Sequence, residues 1–146
     1  MCFALLRIEI HFAGLAGTES LRRITMKRDM DLIREILLET EKMPAMEMWV
    51  AVPLLGYDLA EVVVHVELAY DAGLVDARVL RGIPPDACVL GITNSGYDFL
   101  EASKHKTLWE EAKHQLVAQG LPIAVNTMKV VLQGLVQHRL AKLGVS

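Results

Sequence analysis

His65 and Glu61 lie four residues apart, so a helix would place their side chains one turn apart on the same face. A histidine beside a carboxylate is half of a metal-binding or acid–base arrangement. A metal needs further ligands, and no second His or Cys falls on that helix face. We therefore interpret His65 as a histidine at a helix edge with a carboxylate neighbour, and we expect no metal and no other cofactor.

The sequence gives equally weak support for a catalytic nucleophile and for a catalytic pair of carboxylates. Ser95 lies between Asn94 and Gly96, where the Gly-x-Ser-x-Gly pattern of a nucleophile elbow is missing and a helix start is the better interpretation. Glu110 and Glu111 are adjacent, so a helix would point them to different sides. The sequence has no glycine-rich phosphate loop. We therefore expect no catalytic residues and a protein that is not an enzyme.

Basic residues give a candidate nucleic-acid interface. The candidate contacts are Arg22, Arg23, Lys27, Arg28, Arg78 and Arg81. Against them, the segment 58–76 carries five acidic residues and no Lys or Arg, which would repel phosphates. The formal net charge of -3 adds no general attraction to nucleic acid. DNA binding is therefore the disfavoured alternative.

Periodicity and turn signals predict the elements that position these residues. Asp58 with Glu61, and Thr107 with Glu110, are spaced as capping boxes, and Thr93 is a further helix cap. The predicted elements are a helix at 26–43, a strand at 46–55, a helix at 58–72, a β-hairpin at 74–80 and 87–92, and helices at 93–102, 107–120 and 122–143.

This order predicts an α+β fold with a modified winged-helix core (helix, strand, helix, β-hairpin wing, helix) and additional C-terminal helices. Fourteen residues separate Met43 from Asp58, and most of them favour a strand, so the usual second helix is predicted to be replaced. We predict an N-terminal extension at 1–25, a winged-helix-like domain at 26–118 and a C-terminal helix within 119–146.

The last predicted helix is long and apolar on one side, so it either packs back over the core or pairs with a second copy as a homodimer. The second arrangement would use its apolar side chains as partner contacts. These candidates are Met128, Leu132, Leu135, Val136 and Leu140.

Composition predicts an ordered domain. The chain has 146 residues, of which 53% are hydrophobic, enough to bury a core. Arg7, Glu9 and His11 interrupt the apolar N-terminus, and no segment reaches the roughly 18 apolar residues of a membrane helix, so we expect no membrane association. Cys2 and Cys88 are too few for a zinc site or a disulfide framework, and a reducing cytoplasm is the expected location.

Four sequence blocks resemble, in the same order, a bacterial and phage-associated family known only as domain of unknown function 2513. The blocks are MKRDMDLIREILLETE at 26–41, GYDLAEVVVHVELAYDAGLV at 56–75, ITNSGYDFLEASKHKTLWEEAK at 92–113 and GLPIAVNTMKVVLQGL at 120–135. The resemblance implies a winged-helix-like fold and an extension before Met26, where family members typically begin. It implies no reaction, cofactor or catalytic residue.

One position departs from the family pattern. The family usually has Leu-Thr-Trp-x-Gly-His where this chain runs from Ile92 to Tyr97, with Asn94 in place of the tryptophan. Any ligand role of that tryptophan is therefore not carried over.

Two functional hypotheses follow. The first is a phage or prophage accessory protein whose winged-helix scaffold acts through protein–protein contacts, either with another protein or with a second copy. The second is a transcriptional regulator that binds DNA through the wing and the basic N-terminal residues, which rests on the fold alone.

Overall fold

The computed structural model describes residues 27–44, 47, 49–50 and 56–144, with the backbone alone at 49–50. The predicted extension 1–25, including Arg22 and Arg23, lies outside the described residues, as does most of the predicted strand 46–55. The elements are α1 (Met30–Glu41), β1 (Trp49–Val50), α2 (Leu59–Asp71), β2 (Val75–Leu80), β3 (Asp86–Ile92), α3 (Asn94–Ser103), α4 (Lys106–Ala118) and α5 (Val125–Lys142). The prediction of a mixed helix and sheet fold is confirmed.

α1 begins at Met30 because Asp29 caps it. The backbone of Asp29 is extended, and its Oδ1 accepts hydrogen bonds from the N–H groups of Asp31 at 2.8 Å and Leu32 at 3.3 Å. These bonds satisfy two N–H groups that have no partner inside the helix. The sequence therefore predicted the helix correctly but placed its start too early, at Met26.

In the described part of the chain, the sheet has three antiparallel strands in the order β1-β3-β2. β2 and β3 form the predicted hairpin, with Val75 opposite Ile92 and Leu80 opposite Asp86. Ile83 lies at the hairpin tip and is fully exposed. Cys88 is buried in β3.

A close backbone contact fixes how α3 leaves the sheet. The N–H of Thr93 donates to the carbonyl of Leu74, and its side chain accepts from the N–H of Gly96 at 3.0 Å as the predicted cap. A Cβ on Gly96 would lie 1.9 Å from the Leu74 carbonyl oxygen. Only glycine therefore allows the α3 start to lie against the turn between α2 and β2.

The predicted Thr107–Glu110 capping box is wrong. α4 begins at Lys106, with His105 as an extended N-cap residue whose side chain makes no capping bond. Arg34 explains the earlier start, because its guanidinium donates to the carbonyl of Ser103 at 2.8 Å and to that of Lys104 at 3.1 Å. These bonds hold the short joint after α3 against α1, so the next helix begins directly after it.

α5 packs against α3 and α4. Its buried residues Met128, Leu132 and Leu135 belong to the same core cluster as α1, α2 and the sheet. The cluster is centred on large side chains such as Trp109 and Phe99, whose rings meet edge to face at 6.0 Å. In the part of the chain that the structure describes, no helix is long and apolar enough to cross a membrane.

Candidate functional site

An open cleft of about 670 Å³ lies where the start of α1 meets α2, α4 and the segment that follows α4. Charged, aromatic and aliphatic side chains line it together. The lining residues are Lys27, Arg28, Asp29, Met30, Asp31, Tyr57, Glu61, His65, Lys113, Val117, Gly120, Leu121 and Ile123. Its position depends on three helices that are distant in sequence.

His65 forms one wall of the cleft and is 5% exposed. The N–H of Asp29 donates to its Nε2 at 2.8 Å, and its Nδ1 lies 2.7 Å from the carbonyl oxygen of Glu61. Because Nε2 must accept, the proton lies on Nδ1, which donates to that carbonyl. Both ring nitrogens are thus used by the backbone. The sequence interpretation placed His65 at a helix edge beside a carboxylate; in the structure it is buried and bonds the backbone instead.

Tyr57 and Asp29 form the second contact of the cleft. The Tyr57 hydroxyl donates to Oδ2 of Asp29 at 2.8 Å, while Oδ1 of the same carboxylate caps α1. Burial and the hydrogen bond to the Asp29 carboxylate raise the pKa of Tyr57 above its ordinary value. The phenol is therefore a donor that stays protonated, and is unsuited to act as a base near neutral pH.

Asp31 and Lys113 form the third contact. The Lys113 Nζ lies 2.9 Å from both oxygens of Asp31, and the Trp109 Nε1 donates to Oδ1 at 2.5 Å. Burial by itself raises the pKa of Asp31, but the hydrogen bonds from Trp109 and Lys113 outweigh it and hold that pKa below its ordinary value. Burial likewise lowers the pKa of Lys113, yet its bonds to Asp31 and Glu110 carry the pKa above the ordinary value. Both groups are therefore charged at neutral pH.

The cleft combines these internally bonded groups with a rim that has few internal contacts. Val117 and Leu121 are 64% and 50% exposed, although both are aliphatic. Lys27 and Arg28 are exposed, and neither makes a hydrogen bond or ion pair within the described residues. The arrangement offers surface for a ligand at the rim, whereas the deeper polar groups already have partners.

Among the residues described, no group of three or more His, Cys, Asp or Glu side chains is placed to hold a metal ion. Glu61 also points its carboxylate to the N–H of Asp58 at 3.1 Å rather than towards His65.

The structure describes four of the predicted nucleic-acid contacts, Lys27, Arg28, Arg78 and Arg81. Lys27 and Arg28 lie at the cleft, while Arg78 is exposed on β2. Arg81 follows β2 and forms an ion pair with Glu67 of α2. The acidic helix α2 therefore forms an ion pair with one of the two arginines of the β2–β3 hairpin.

The predicted partner contacts on α5 divide into two sets. Met128 and Leu132 are fully buried in the chain's own core, and Leu135 is nearly so. These three side chains pack back on α3 and α4 and present almost no surface to another protein. Val136 and Leu140 are half-buried and line a hollow of about 220 Å³ between α4 and α5, so they remain candidates.

The sequence interpretation missed Tyr57, Asp29 and Lys113. A local signal existed for Lys113, because it lies four residues after Trp109 and so shares a face with a buried aromatic residue. No local signal connects Tyr57 with Asp29, which lie 28 residues apart and meet only through the packing of α1 on α2.

Comparison with known proteins places the chain in a family. Residues 27–122 match the family model described as "Hypothetical protein (DUF2513)", a range that includes every residue lining the cleft except Ile123. An uncharacterized protein of Haemophilus influenzae (strain ATCC 51907 / DSM 11121 / KW20 / Rd) is 28% identical over 118 residues, which is 80% of this chain and all of the relative. No solved structure matches the chain. The match covers most of the chain and confirms the resemblance to this family, so the protein belongs to the DUF2513 family.

Proposed function

We propose that this protein is a binding module without catalytic activity, and that it acts through protein contacts made at the cleft beside the start of α1. The observation that carries the proposal is a difference between the inner part of the cleft and its rim. Its deeper polar groups are bonded to each other, and its rim exposes aliphatic side chains and cations. Such a surface favours holding a partner over transforming a substrate.

The hydrogen bonds of three described cleft residues, His65, Tyr57 and Asp31, support the non-catalytic part of the proposal. The two nitrogens of His65 are occupied by backbone groups, and Tyr57 is held protonated by burial and by Asp29. A general base must reach its substrate with a free lone pair. Asp31 is already bonded to Lys113 and Trp109, so it lacks that freedom as well.

The scaffold is, in our proposal, a modified winged helix. The sheet order β1-β3-β2 and the position of α2 directly before the hairpin support it. On the strength of the four resembling sequence blocks, we further propose an accessory role in bacteria or their phages, in the cytoplasm.

A peptide-display library panned on the full-length chain tests the proposal. Leu121→Glu places a charge on the rim, whereas Val130→Glu makes the same change on α5, where Val130 is 68% exposed outside the cleft. We expect enriched peptides that lose affinity for Leu121→Glu and keep it for Val130→Glu. Failure to enrich any peptide, or enriched peptides that bind both variants equally well, would contradict the proposal.

DNA binding is the alternative, favoured by one observation. Arg78 is exposed on the wing without an ion-pair partner in the described chain. A mobility-shift assay with double-stranded DNA at low salt tests it, with Arg78→Ala compared with Lys142→Ala on α5. A shift at micromolar protein that weakens only in Arg78→Ala would favour the regulator over the protein-contact module.

A further inference from the structure

We infer that the segment bound in the cleft is an acidic peptide that carries a large apolar side chain beside its carboxylates. This inference rests on the proposed function and specifies the chemistry of its partner. Two features of the cleft support it: the cations Lys27 and Arg28, which have no partner within the described residues, and the exposed aliphatic side chains of the same rim.

The carboxylates of the cleft are already engaged. Asp29 accepts from the α1 backbone and from Tyr57, and Asp31 accepts from Trp109 and Lys113. Glu61 accepts from the backbone N–H of Asp58. A basic ligand would have to compete with these internal donors, so the cleft is poorly suited to recognise one.

The cations of the rim are not engaged. Lys27 and Arg28 precede α1, line the cleft and have no hydrogen bond or ion pair within the described part of the chain. Two adjacent cations can each donate to a carboxylate, and Arg can do so with two parallel bonds. The N–H groups of Asp31 and Leu32 are already capped by Asp29, so the side chains of Lys27 and Arg28 carry the recognition.

The aliphatic part of the rim is formed by the end of α4 and the segment that follows it. Val117 is more than half exposed and Leu121 is half exposed, and Ile123 adds a half-buried side chain. An apolar side chain of the ligand would cover this surface and remove it from water, at about 25 cal/mol for each Å² buried. A ligand that uses both parts of the rim must therefore carry a carboxylate and an apolar side chain in one segment.

The cleft has three cations and three carboxylates, and Lys113 is already paired with Asp31. The two remaining cations are too few to hold a run of phosphates, which distinguishes this surface from a nucleic-acid groove. The partner is therefore a protein segment, and nucleic acid becomes an outcome of the test.

The experiment uses the peptides enriched from the display library and measures their dissociation constants by fluorescence anisotropy with the full-length chain. The variant Lys27→Glu/Arg28→Glu reverses the rim charge. Lys106→Glu/Lys142→Glu makes the same change at two exposed lysines outside the cleft and serves as the matched control. Circular dichroism confirms that each variant is folded.

The expected result is a set of peptides that combine Asp or Glu with Leu, Ile, Phe or Trp. Their affinity should fall at least about tenfold in the Lys27→Glu/Arg28→Glu variant, stay within about twofold in the control, and weaken as salt rises.

Neutral or basic peptides that still lose affinity in Leu121→Glu would overturn the inference and leave the proposed function standing. Peptides that respond to no cleft variant would overturn both. A further outcome is that double-stranded DNA displaces the peptides at physiological salt, with the same dependence on Lys27 and Arg28. This result would overturn the inference and identify nucleic acid as the ligand of the cleft.

Discussion

The backbone N–H of Asp29 donates a 2.8 Å hydrogen bond to Nε2 of His65, which lies on another helix 36 residues later. The second nitrogen of the ring is used by the Glu61 carbonyl within the same helix. The imidazole thus joins the start of α1 to the first half of α2. The geometry of the cleft depends on the bond between Asp29 and His65, because Lys27 and Arg28 directly precede Asp29 in the chain.

Replacement of His65 should therefore destabilise the fold. His65→Leu keeps most of the side-chain volume but leaves the part-buried N–H of Asp29 without an acceptor, and such a loss costs about 1–3 kcal/mol. His138→Leu, at an exposed position on α5, is the matched control and should change the free energy of unfolding by less than about 0.5 kcal/mol. Urea denaturation of the two variants measures the difference. Equal stabilities would show that the His65 contact is dispensable.

Tyr57→Phe removes one hydroxyl and with it the bond to Asp29. We expect a loss of about 1 kcal/mol in the free energy of unfolding at neutral pH, against no loss in Tyr97→Phe, whose ring is half-exposed.

Because the folded pKa of Tyr57 is raised, its contribution is fully present below the ordinary phenol pKa of about 10 and is lost as pH rises towards the folded pKa. Denaturation curves should be measured between pH 7 and pH 11. The difference in the free energy of unfolding between the wild type and Tyr57→Phe should shrink only at the alkaline end of this range. A stability difference that is unchanged at pH 11 would contradict the assignment.

Asp31→Asn tests a pKa shift of the opposite sign, because the pKa of Asp31 is lowered whereas that of Tyr57 is raised. The folded pKa of Asp31 is lowered, so its contribution is fully present above the ordinary carboxyl pKa of about 3.9 and is lost as pH falls through the folded pKa. The side chain is about half-exposed, so solvent screening limits the effect to about 1 kcal/mol at pH 7.

Asp76→Asn changes an exposed carboxylate on β2 and should leave stability nearly unchanged. Thermal unfolding from pH 7 to pH 2.5 measures both variants. The difference between the wild type and Asp31→Asn should shrink as the medium becomes acid; a difference that grows would refute the prediction.

Gly96→Ala tests the close approach of α3 to the turn before β2. The new Cβ would lie 1.9 Å from the backbone oxygen of Leu74, so a main-chain segment must move, at a cost of at least about 3 kcal/mol. Gly134→Ala makes the same substitution in α5, where nothing lies within 4 Å of the Cβ. Removing a helical glycine should stabilise that variant by up to about 1 kcal/mol. Chemical denaturation should therefore give changes of opposite sign, and changes of the same sign would contradict the contact geometry.

Local patterns in the sequence were sufficient for most of the elements. The caps Asp58 and Thr93 and the apolar periodicity of α1 and α2 are decided by residues within a few positions of one another. Such signals are readable because capping and helical spacing are local interactions. The α4 start was missed because Arg34, about 70 residues earlier, fixes the joint before it.

The cleft itself was decided by tertiary structure. The sequence alone determined that α2 is acidic, that the chemistry of a nucleophile or metal site is missing from local motifs, and that α5 has an apolar side. It left open which of the α5 side chains are buried and which polar residues meet. The pairs His65 with Asp29, Tyr57 with Asp29, and Lys113 with Asp31 lie 28 to 82 residues apart. They form because the packing of α1 against α2 and α4 buries apolar surface, and this packing has no signature in the local pattern around any one of them.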